Sequence, residues 1–508
     1  MHGLSSVGRK SRTSSEVARQ PTQVVGARGA QNCSEEGFGD LRSVILILPF
    51  GEALGRISEI PRFSFSPFGS GPMIRPSIAV FVVLLFVGFF TQVHGYSVLS
   101  HEALIDAAWE RGIRPVLLRR FPNATPDELR QAYGFAYGGA IIQDLGYYPH
   151  GSHFFSDLVH YVRSGDFIQA LIRESQDLDE YAFALGALAH YAADSNGHRM
   201  AVNRAVPILY PALRKKYADV ATYEDDPAAH LKTEFGFDVL EVAKERYAAD
   251  TYHDFIGFEV CKTLLERAFQ EIYSMPLQSL FSNLDESIGS YRYTVRTVIP
   301  KATKVAWVLK KKDIQRDLPG ITQRKFLYNL SKASYEKEWG KNYQKPGLGM
   351  SFLAFIIRVI PKIGPLKVLS FRTPTPETEK MFMASFNAAL DNYRHLLADV
   401  GAGHHNVPNL NLDTGSTIQP WTYFMQDEAY ARLLSNLDRA QFKQISPALR
   451  SDILTYFGEL VLPTHINRDK IEKTRVEWKK VRQELEELKS VPSDPKLAEV
   501  RNPHVTKQ

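Results

Sequence analysis

The sequence predicts an all-α protein, and three observations support this fold class. Apolar residues recur at the spacing of one helix face, and the clearest buried stripe would be Leu178, Ala182, Leu185 and Ala189. Alternation of apolar and polar residues at the spacing of a β-strand is scarce. Breaks rich in Pro, Gly and Asn separate the segments with helical periodicity. We therefore expect a multi-helical domain that is followed by an additional helical region.

The N-terminal part of the chain has the features of a leader and an export signal. Residues 1–72 are rich in Ser, Gly and Arg without a sustained apolar period, which predicts a disordered leader or a mis-assigned start. A basic segment after Met73, the apolar run Ile78 to Phe90 and the small residue Gly95 are typical of a signal peptide over residues 73–95. The run is shorter than the roughly 20 residues that span a bilayer, so an uncleaved anchor is the less favoured alternative. We expect cleavage after Gly95 and export of a chain that begins at Tyr96.

Helical segments continue to the end of the chain. The four clearest are Asp127 to Ala140, Glu180 to Ala193, Ala229 to Ala243 and Phe258 to Tyr273. A run of three lysines followed by Asp, Pro and Gly predicts a boundary near residue 320. We therefore divide the mature chain into a domain of residues 96–320 and a helical region of residues 321–508, which includes a charged, heptad-like stretch from Ile471 to Leu488.

Charge and cysteine content exclude some kinds of site. The net charge of +5 results from 61 basic and 56 acidic residues, and this mixture does not indicate a nucleic-acid partner. The chain has two cysteines, Cys33 and Cys261, and Cys33 precedes the predicted cleavage site. We expect neither a structural disulfide nor a thiolate metal site. Any bound metal must use nitrogen and oxygen ligands.

Two pairs of histidine and carboxylate residues carry the strongest chemical signal. His190 and Asp194 lie four residues apart, as do His230 and Glu234. Each pair would share one face of a helix and could chelate one metal ion. A single such pair is more typical of a solvated helix face, so the indication of a metal site comes from finding two pairs in one domain.

The first pair is followed by a further histidine. His198 stands four residues after Asp194. We expect Asn196 and Gly197 to end the helix and to turn His198 aside. If the helix instead continued, His198 would lie about 80° from His190 around its axis, and either geometry keeps it near the cluster.

Other candidate ligands lie upstream of the two pairs. Asp144 and His153 stand among aromatic and apolar residues, where a buried charged group needs a partner. His150 and His160 compete with His153, because periodicity cannot choose among three histidines in one stretch, and the simplest interpretation of His160 is a partly exposed helical residue.

The start of the mature chain offers one more set of donors. His101 would be the sixth residue after cleavage. The α-amino group of Tyr96 could chelate a metal ion together with the carbonyl oxygen of the same residue.

In order and residue type, these positions resemble the zinc-dependent phospholipase C family, which shares its helical fold and trinuclear zinc site with fungal single-strand nucleases. The matching positions are Tyr96, His101, Asp144, His153, His190, Asp194, His198, His230 and Glu234. The resemblance extends from about Tyr96 to Ile299. It departs from the family pattern at Tyr96, where Trp is usual, and in the shorter gap between Asp194 and His198.

The resemblance implies a site for up to three zinc ions. The first ion would be held by Asp144, His153, His190 and Asp194. The second would be held by His198, His230 and Glu234. The third would use Tyr96, His101 and the bridging carboxylate of Asp194. Asp144 would also steer or deprotonate the attacking water and would thus be the catalytic residue.

The predicted function is hydrolysis of a phospholipid phosphodiester by zinc-activated water. Phe154, Phe155 and Tyr147 could accept an acyl-bearing substrate, and the apolar segment Phe352 to Ile360 could contact a membrane surface unless it is a buried core helix. The nearest alternative is a single-strand nuclease, in which aromatic residues would stack bases.

Two other classes of protein remain open on the sequence. One is a non-catalytic metal-binding protein of the cell envelope. The other is a phosphohydrolase built on His253 and Asp254, which is disfavoured because histidines at suitable offsets are missing nearby.

Overall fold

The structure is a computed structural model, and it describes residues 98–243, 258–295, 316, 370–404, 406–458 and 471–491. Helices dominate these segments, and the sheet within them is one two-stranded hairpin, so the predicted all-α class is confirmed. The predicted leader, the signal peptide, Tyr96, the pair His253 and Asp254, the boundary near residue 320 and the segment Phe352 to Ile360 lie outside the described residues.

Eleven α-helices lie before residue 296 among the described residues. They are α1 Val98–Ala108, α2 Arg114–Arg120, α3 Pro126–Gly139, α4 His153–Tyr161, α5 Ser164–Glu174, α6 Leu178–Gly197, α7 Asn203–Leu209, α8 Pro211–Tyr217, α9 Pro227–Ala243, α10 Lys262–Tyr273 and α11 Leu284–Tyr293. Four short segments have other helical geometries: π-helical Trp109–Ile113 and His198–Val202, and 3-10 helical Ile142–Tyr147 and Leu277–Leu280.

The C-terminal region adds four described helices and the hairpin. These are α12 Pro376–Gly401, β1 Leu410–Asn411, β2 Ser416–Thr417, α13 Phe424–Arg439, α14 Pro447–Phe457 and α15 Ile471–Ser490. The strands are antiparallel, with Leu410 opposite Thr417 and Asn411 opposite Ser416. Within the described residues, no helix is both long enough and apolar enough to cross a membrane.

All four of the clearest predicted helices are present, and α3 and α9 have nearly the predicted bounds. The fourth, α10, begins at Lys262 rather than at Phe258. The predicted end of α6 at Ala193 is also wrong, since the helix runs on to Gly197.

Helix α6 lies at the centre of the described structure, in contact with α3, α5 and α12. It begins where the Asp177 side chain accepts a hydrogen bond of 2.9 Å from Glu180 N, as an N-cap does. The predicted stripe residues Ala182, Leu185 and Ala189 are fully buried, whereas Leu178, at the start of the helix, is only half-buried. The opposite face is buried as well, as expected for a helix that is surrounded by other helices.

Two glycines allow α3 and α6 to approach each other closely. A Cβ atom on Gly139 would overlap the carbonyl oxygen of Phe183, and a Cβ atom on Gly186 would overlap that of Ala136. The approach brings the carbonyl oxygen of Ala140, at the end of α3, to the side chain of His190 on α6. The packing of two helices therefore sets the geometry of one imidazole in the candidate site.

The described part of the C-terminal region packs directly on this core. Tyr393 of α12 is buried, and its hydroxyl donates a hydrogen bond of 2.9 Å to the carbonyl oxygen of Leu185. Near the hairpin, Tyr191 donates to the carbonyl oxygen of Pro408 at 2.7 Å.

Candidate metal centre

Seven of the nine predicted ligands converge in the interior of the protein. Each has a relative exposure of 5% or less, and they are His101, Asp144, His190, Asp194, His198, His230 and Glu234. They come from α1, the 3-10 segment after α3, α6, the π-helical turn after α6, and α9. The convergence of nitrogen and oxygen donors from separate helices is what the resemblance predicts.

The carboxylate of Asp194 is the centre of this cluster. Its Oδ1 atom lies 3.4 Å from His101 Nε2 and 3.7 Å from His198 Nε2. Its Oδ2 atom lies 3.0 Å from His190 Nε2 and 3.4 Å from His160 Nε2. One carboxylate thus faces imidazoles on both sides, which is the arrangement of a bridging ligand.

His160, rather than the predicted His153, has its imidazole next to Asp144, His190 and Asp194. His153 is exposed at the first position of α4, with its ring 5.4 Å from that of Tyr147. His160 is buried, with Nε2 3.5 Å from Asp144 Oδ1, so its interpretation as a partly exposed residue is wrong. The two histidines are seven residues apart, about two helical turns, and they share a helix face. They differ in their position along α4: His153 is exposed in its first turn, whereas His160 is buried near its other end. Helical periodicity identifies the face on which a residue lies, but not which end of the helix reaches the buried cluster.

The third histidine of that stretch is also outside the cluster. His150 has a positive φ of 65° in the turn before α4, and its Nε2 atom lies 3.4 Å from Glu286 Oε1.

His198 stays in a helix, contrary to the expectation that Asn196 and Gly197 would end it. Gly197 has helical angles, and the amide of His198 donates to the carbonyl oxygen of Asp194. The Asn196 side chain donates to the carbonyl oxygen of Ala192 at 2.8 Å instead of capping a helix end. The chain continues through the π-helical turn into α7, a local widening that is common at functional sites.

Backbone carbonyl groups fix the orientation of two imidazoles. His190 Nδ1 lies 3.0 Å from the oxygen of Ala140, and His160 Nδ1 lies 2.8 Å from the oxygen of Ser156. A carbonyl oxygen accepts only, so each Nδ1 carries the hydrogen and each Nε2 presents a lone pair. Metal-binding histidines usually have such a partner on the second ring nitrogen.

The donor set fits a cation. The Nε2 atoms of His160 and His190 lie 3.2 Å apart and both face the Asp194 carboxylate. His230 Nε2 and Glu234 Oε1 lie 2.9 Å apart, yet within the described part of the chain neither atom makes a hydrogen bond of normal geometry, and neither do the Asp194 oxygens. Buried lone pairs that face one another need a shared positive charge. Imidazole and carboxylate donors in this number suit zinc.

Burial and neighbouring charges shift the pKa values of several candidate ligands, and these shifts favour the protonation states that metal binding requires. Burial lowers the pKa of His101 and of His160, which keeps these imidazoles neutral. Burial alone would raise the pKa of Asp194, but His190 and His198 hold it well below its ordinary value. Asp194 is therefore ionised, as a bridging ligand must be.

Two further groups have raised pKa values. Burial raises the pKa of Asp144 well above its usual range, and the carboxylates of Asp194 and Glu234 add to the shift. Burial would lower the pKa of His198, but Asp194 and Asp413 outweigh it and raise that pKa well above its ordinary value. A cation at this site must therefore displace a proton from His198.

Three groups of side chains have ligand atoms close enough to hold a metal ion, within 4.8 Å of one another in each group. They are His101, His190 and Asp194; Asp144, His160 and His190; and His198, His230 and Asp413. Asp413 is a residue that sequence reasoning missed. It belongs to a loop of the C-terminal region, far along the chain from the helical pairs, and no spacing rule connects it to them.

The aromatic residues proposed to accept a substrate have mixed positions. Phe155 is fully buried against Phe269 and Phe281, and Phe154 packs beneath the guanidinium group of Arg432. Both are therefore packing residues. Tyr147 is buried beside the site, with its ring 6.2 Å from that of His160.

The fold is all-α, and its buried groups of histidine and carboxylate side chains could hold metal ions. Residues 100–283, somewhat more than a third of the 508-residue chain, match the family model of zinc-dependent phospholipase C. This match implies a hydrolase that acts on phosphodiesters. Comparisons with curated proteins and with solved structures give no match.

Proposed function

We propose that the mature chain is exported, begins at Tyr96 and hydrolyses a phospholipid by a phospholipase C-type reaction at this centre. The observation that carries the proposal is the position of the Asp194 carboxylate between His101 and His198 on one side and His160 and His190 on the other. This arrangement lies within the segment that matches the phospholipase family.

We expect this centre to hold up to three zinc ions. The first set is Asp144, His160, His190 and Asp194; the second is His198, His230 and Glu234; and the third is His101 and Asp194 with the α-amino group and carbonyl oxygen of Tyr96. The first set differs from the prediction in one member, His160 in place of His153. Bound zinc supplies Lewis acidity, which lowers the pKa of water and offsets negative charge on phosphoryl oxygens.

Asp144 is the proposed proton acceptor. Its Oδ1 atom is buried, makes no hydrogen bond and lies 3.5 Å from His160 Nε2. Its buried position beside the proposed first set of ligands places this carboxylate where it could take a proton from attacking water. The other carboxylates of the site, those of Asp194 and Glu234, are placed to bind and position the metal ions.

The start of α1 supports the proposed role of the chain terminus. Asp238 Oδ2 accepts a hydrogen bond of 2.9 Å from Leu99 N, and its Oδ1 accepts one of 2.7 Å from Ser100 Oγ. Asp238 lies on α9 four residues after Glu234, so the helix that carries two proposed ligands also holds the start of α1. Cleavage after Gly95 would leave the new terminus five residues before His101 in the sequence.

A direct assay separates the proposed activity from its alternatives. Protein that begins at Tyr96 is supplied with phosphatidylcholine vesicles or with single-stranded DNA, and release of phosphocholine or of nucleotides is measured. We expect release of the phosphorylated head group, and its loss in Asp194→Asn. Cleavage of DNA alone would assign the nuclease activity, and inactivity on both by zinc-loaded protein would favour a non-catalytic role.

The proposed export has a separate test. Mass spectrometry of the mature protein recovered outside the producing cell is expected to give an N-terminal peptide that starts at Tyr96. A mature protein that retains residues 73–95 would refute both the cleavage and the amino-terminal ligand.

A further inference from the structure

The hairpin of the C-terminal region lies against the proposed metal centre. It carries Asp413, which is 2% exposed, between β1 and β2. The amide of Leu412 donates a hydrogen bond of 3.2 Å to the carbonyl oxygen of His160. Gly415 has a φ of +64°, and a Cβ atom there would overlap the carbonyl oxygen of Ser195. The hairpin is therefore packed on the backbone of both α4 and α6, next to residues of the site.

The backbone of Asp413 is held in place by amide side chains. Asn411 Oδ1 accepts hydrogen bonds from the amide of Asp413 at 3.1 Å and from that of Thr414 at 3.0 Å. Asn203 Nδ2, at the start of α7, donates to the carbonyl oxygen of Asp413 at 2.9 Å. These bonds fix the position from which the carboxylate extends.

The two oxygen atoms of the Asp413 carboxylate have different partners. Its Oδ2 atom accepts hydrogen bonds from the hydroxyl of Tyr423 at 2.8 Å and from the amide of Tyr223 at 3.0 Å. Its Oδ1 atom lies 3.1 Å from His198 Nδ1. Two donors on Oδ2 favour the ionised form and orient the group. The other oxygen is thereby directed at the imidazole.

This contact determines which nitrogen of His198 faces the centre. A carboxylate only accepts, so it favours a hydrogen on Nδ1. The Nε2 atom then points toward the cluster, 3.2 Å from Glu234 Oε1 and 3.7 Å from Asp194 Oδ1. His160 and His190 are oriented by backbone carbonyl groups, whereas His198 faces a carboxylate from a different region of the chain.

We propose that Asp413 is a positioning residue of the metal centre, which holds the ring of His198 so that Nε2 binds the metal. The C-terminal region, which lies beyond the segment that matches the family, is then a structural part of the site. The inference rests on the proposed zinc centre. A carboxylate behind a metal-binding imidazole fixes its tautomer and orientation, and its loss typically reduces metal affinity by about 10–100-fold.

The test uses the whole mature chain and compares Asp413→Asn with a matched control. Asp427→Asn is the control, because Asp427 is also a buried carboxylate that accepts from a backbone amide, of Trp421, and from a tyrosine hydroxyl, of Tyr456. Zinc affinity is measured by competition with a chromophoric chelator, and the zinc stoichiometry at saturation is measured in parallel. The absorption spectrum after substitution with Co²⁺ reports the geometry at the metal.

Asp413→Asn is expected to bind the wild-type number of zinc ions at saturation, to bind one of them about 10–100-fold more weakly and to show an altered Co²⁺ spectrum. Asp427→Asn is expected to match the wild type. Wild-type affinity in Asp413→Asn would overturn the inference. Loss of one whole ion at saturating zinc would also overturn it, because Asp413 would then be a direct ligand.

A second variant covers the case in which Asp413→Asn does not fold. Tyr423→Phe removes one of the two donors to Oδ2 and is expected to weaken binding of the same zinc ion by a smaller factor; unchanged affinity would overturn the inference.

Zinc binding by the wild type without phosphodiester hydrolysis would refute the proposed reaction and leave the role of Asp413 intact. Absence of zinc binding by the wild type would refute both.

Discussion

Replacing His160 and His153 one at a time by alanine tests whether the structure places the correct histidine of α4 in the centre. Only His160 has its Nε2 atom near the cluster, at 3.2 Å from His190, 3.4 Å from Asp194 and 3.5 Å from Asp144. His153 is exposed at the other end of the helix. We expect His160→Ala to impair zinc binding and hydrolysis, and His153→Ala to leave both close to wild type.

The expected loss of zinc affinity in His160→Ala follows from the number of ligands that share one ion. A zinc ion in a four-ligand protein site binds with an apparent free energy of about 10–16 kcal/mol at pH 7, so one ligand contributes about 3 kcal/mol on average. A loss of about 3 kcal/mol corresponds to a reduction in affinity of roughly 100-fold. The truncation also removes a buried ring and is expected to lower the free energy of unfolding by about 1–3 kcal/mol.

The assay combines zinc competition with thermal unfolding of both variants. Unfolding establishes that His160→Ala is folded at the temperature of the zinc measurement. A roughly 100-fold loss in His160→Ala with wild-type affinity in His153→Ala supports the structure. The opposite pattern, or equal losses in both, would refute the placement of His160 and restore the assignment that the resemblance implied.

Four further predictions follow from the same geometry. Gly186→Ala is expected to force α6 away from the oxygen of Ala136, lowering stability by about 1–3 kcal/mol in thermal unfolding and weakening zinc binding; wild-type values for both would contradict the close helix contact. Zinc affinity is expected to rise with pH, because the raised pKa of His198 makes a proton compete with the metal, and a flat titration would argue against His198 as a ligand. Burial raises the pKa of Asp157 to about 7, above its unfolded value, so the stability that Asp157 contributes is lost as pH rises from about 4 through 7. Chemical unfolding at each pH should show a steeper loss in the wild type than in Asp157→Asn, and identical profiles would contradict this. Removal of zinc by a chelator is expected to lower the melting temperature. If free zinc had been 1,000-fold above its dissociation constant, the free energy of unfolding falls by about 4 kcal/mol. The melting temperature should recover when zinc is restored.

The helical fold was predictable because its signal is local. The core of α6 is marked by apolar residues at helical spacing, and its start is marked by Asp177, which caps the helix. The helix end was not predictable, since Asn196 and Gly197 are usual helix-ending residues. Here the Asn196 side chain bonds within the helix, and the surrounding structure carries the chain onward.

The candidate site was predictable where its geometry depends on one helix. His190 and Asp194, and likewise His230 and Glu234, are brought together by the four-residue spacing itself. The choice between His153 and His160 depends on how α4 is inserted among its neighbours, and this is a property of tertiary packing. The resemblance therefore selected a histidine on the same face of α4 as His160, but one that is exposed at the first position of the helix.

Asp413 shows the limit of sequence reasoning more sharply. It reaches His198 through a loop whose position depends on bonds to α4, α6 and α7. None of these contacts has a sequence pattern, since each joins residues about 200 or more positions apart. Long-range packing of this kind is visible only in the folded chain.

Anomalous diffraction from crystals of the mature protein, recorded above and below the zinc absorption edge, tests the central claim most directly. We predict zinc peaks beside the Asp194 carboxylate, with the Nε2 atoms of His160 and His190 coordinated to one ion and that of His198 coordinated to another. No zinc peak at Asp194, or a zinc ion coordinated by His153 in place of His160, would contradict the account.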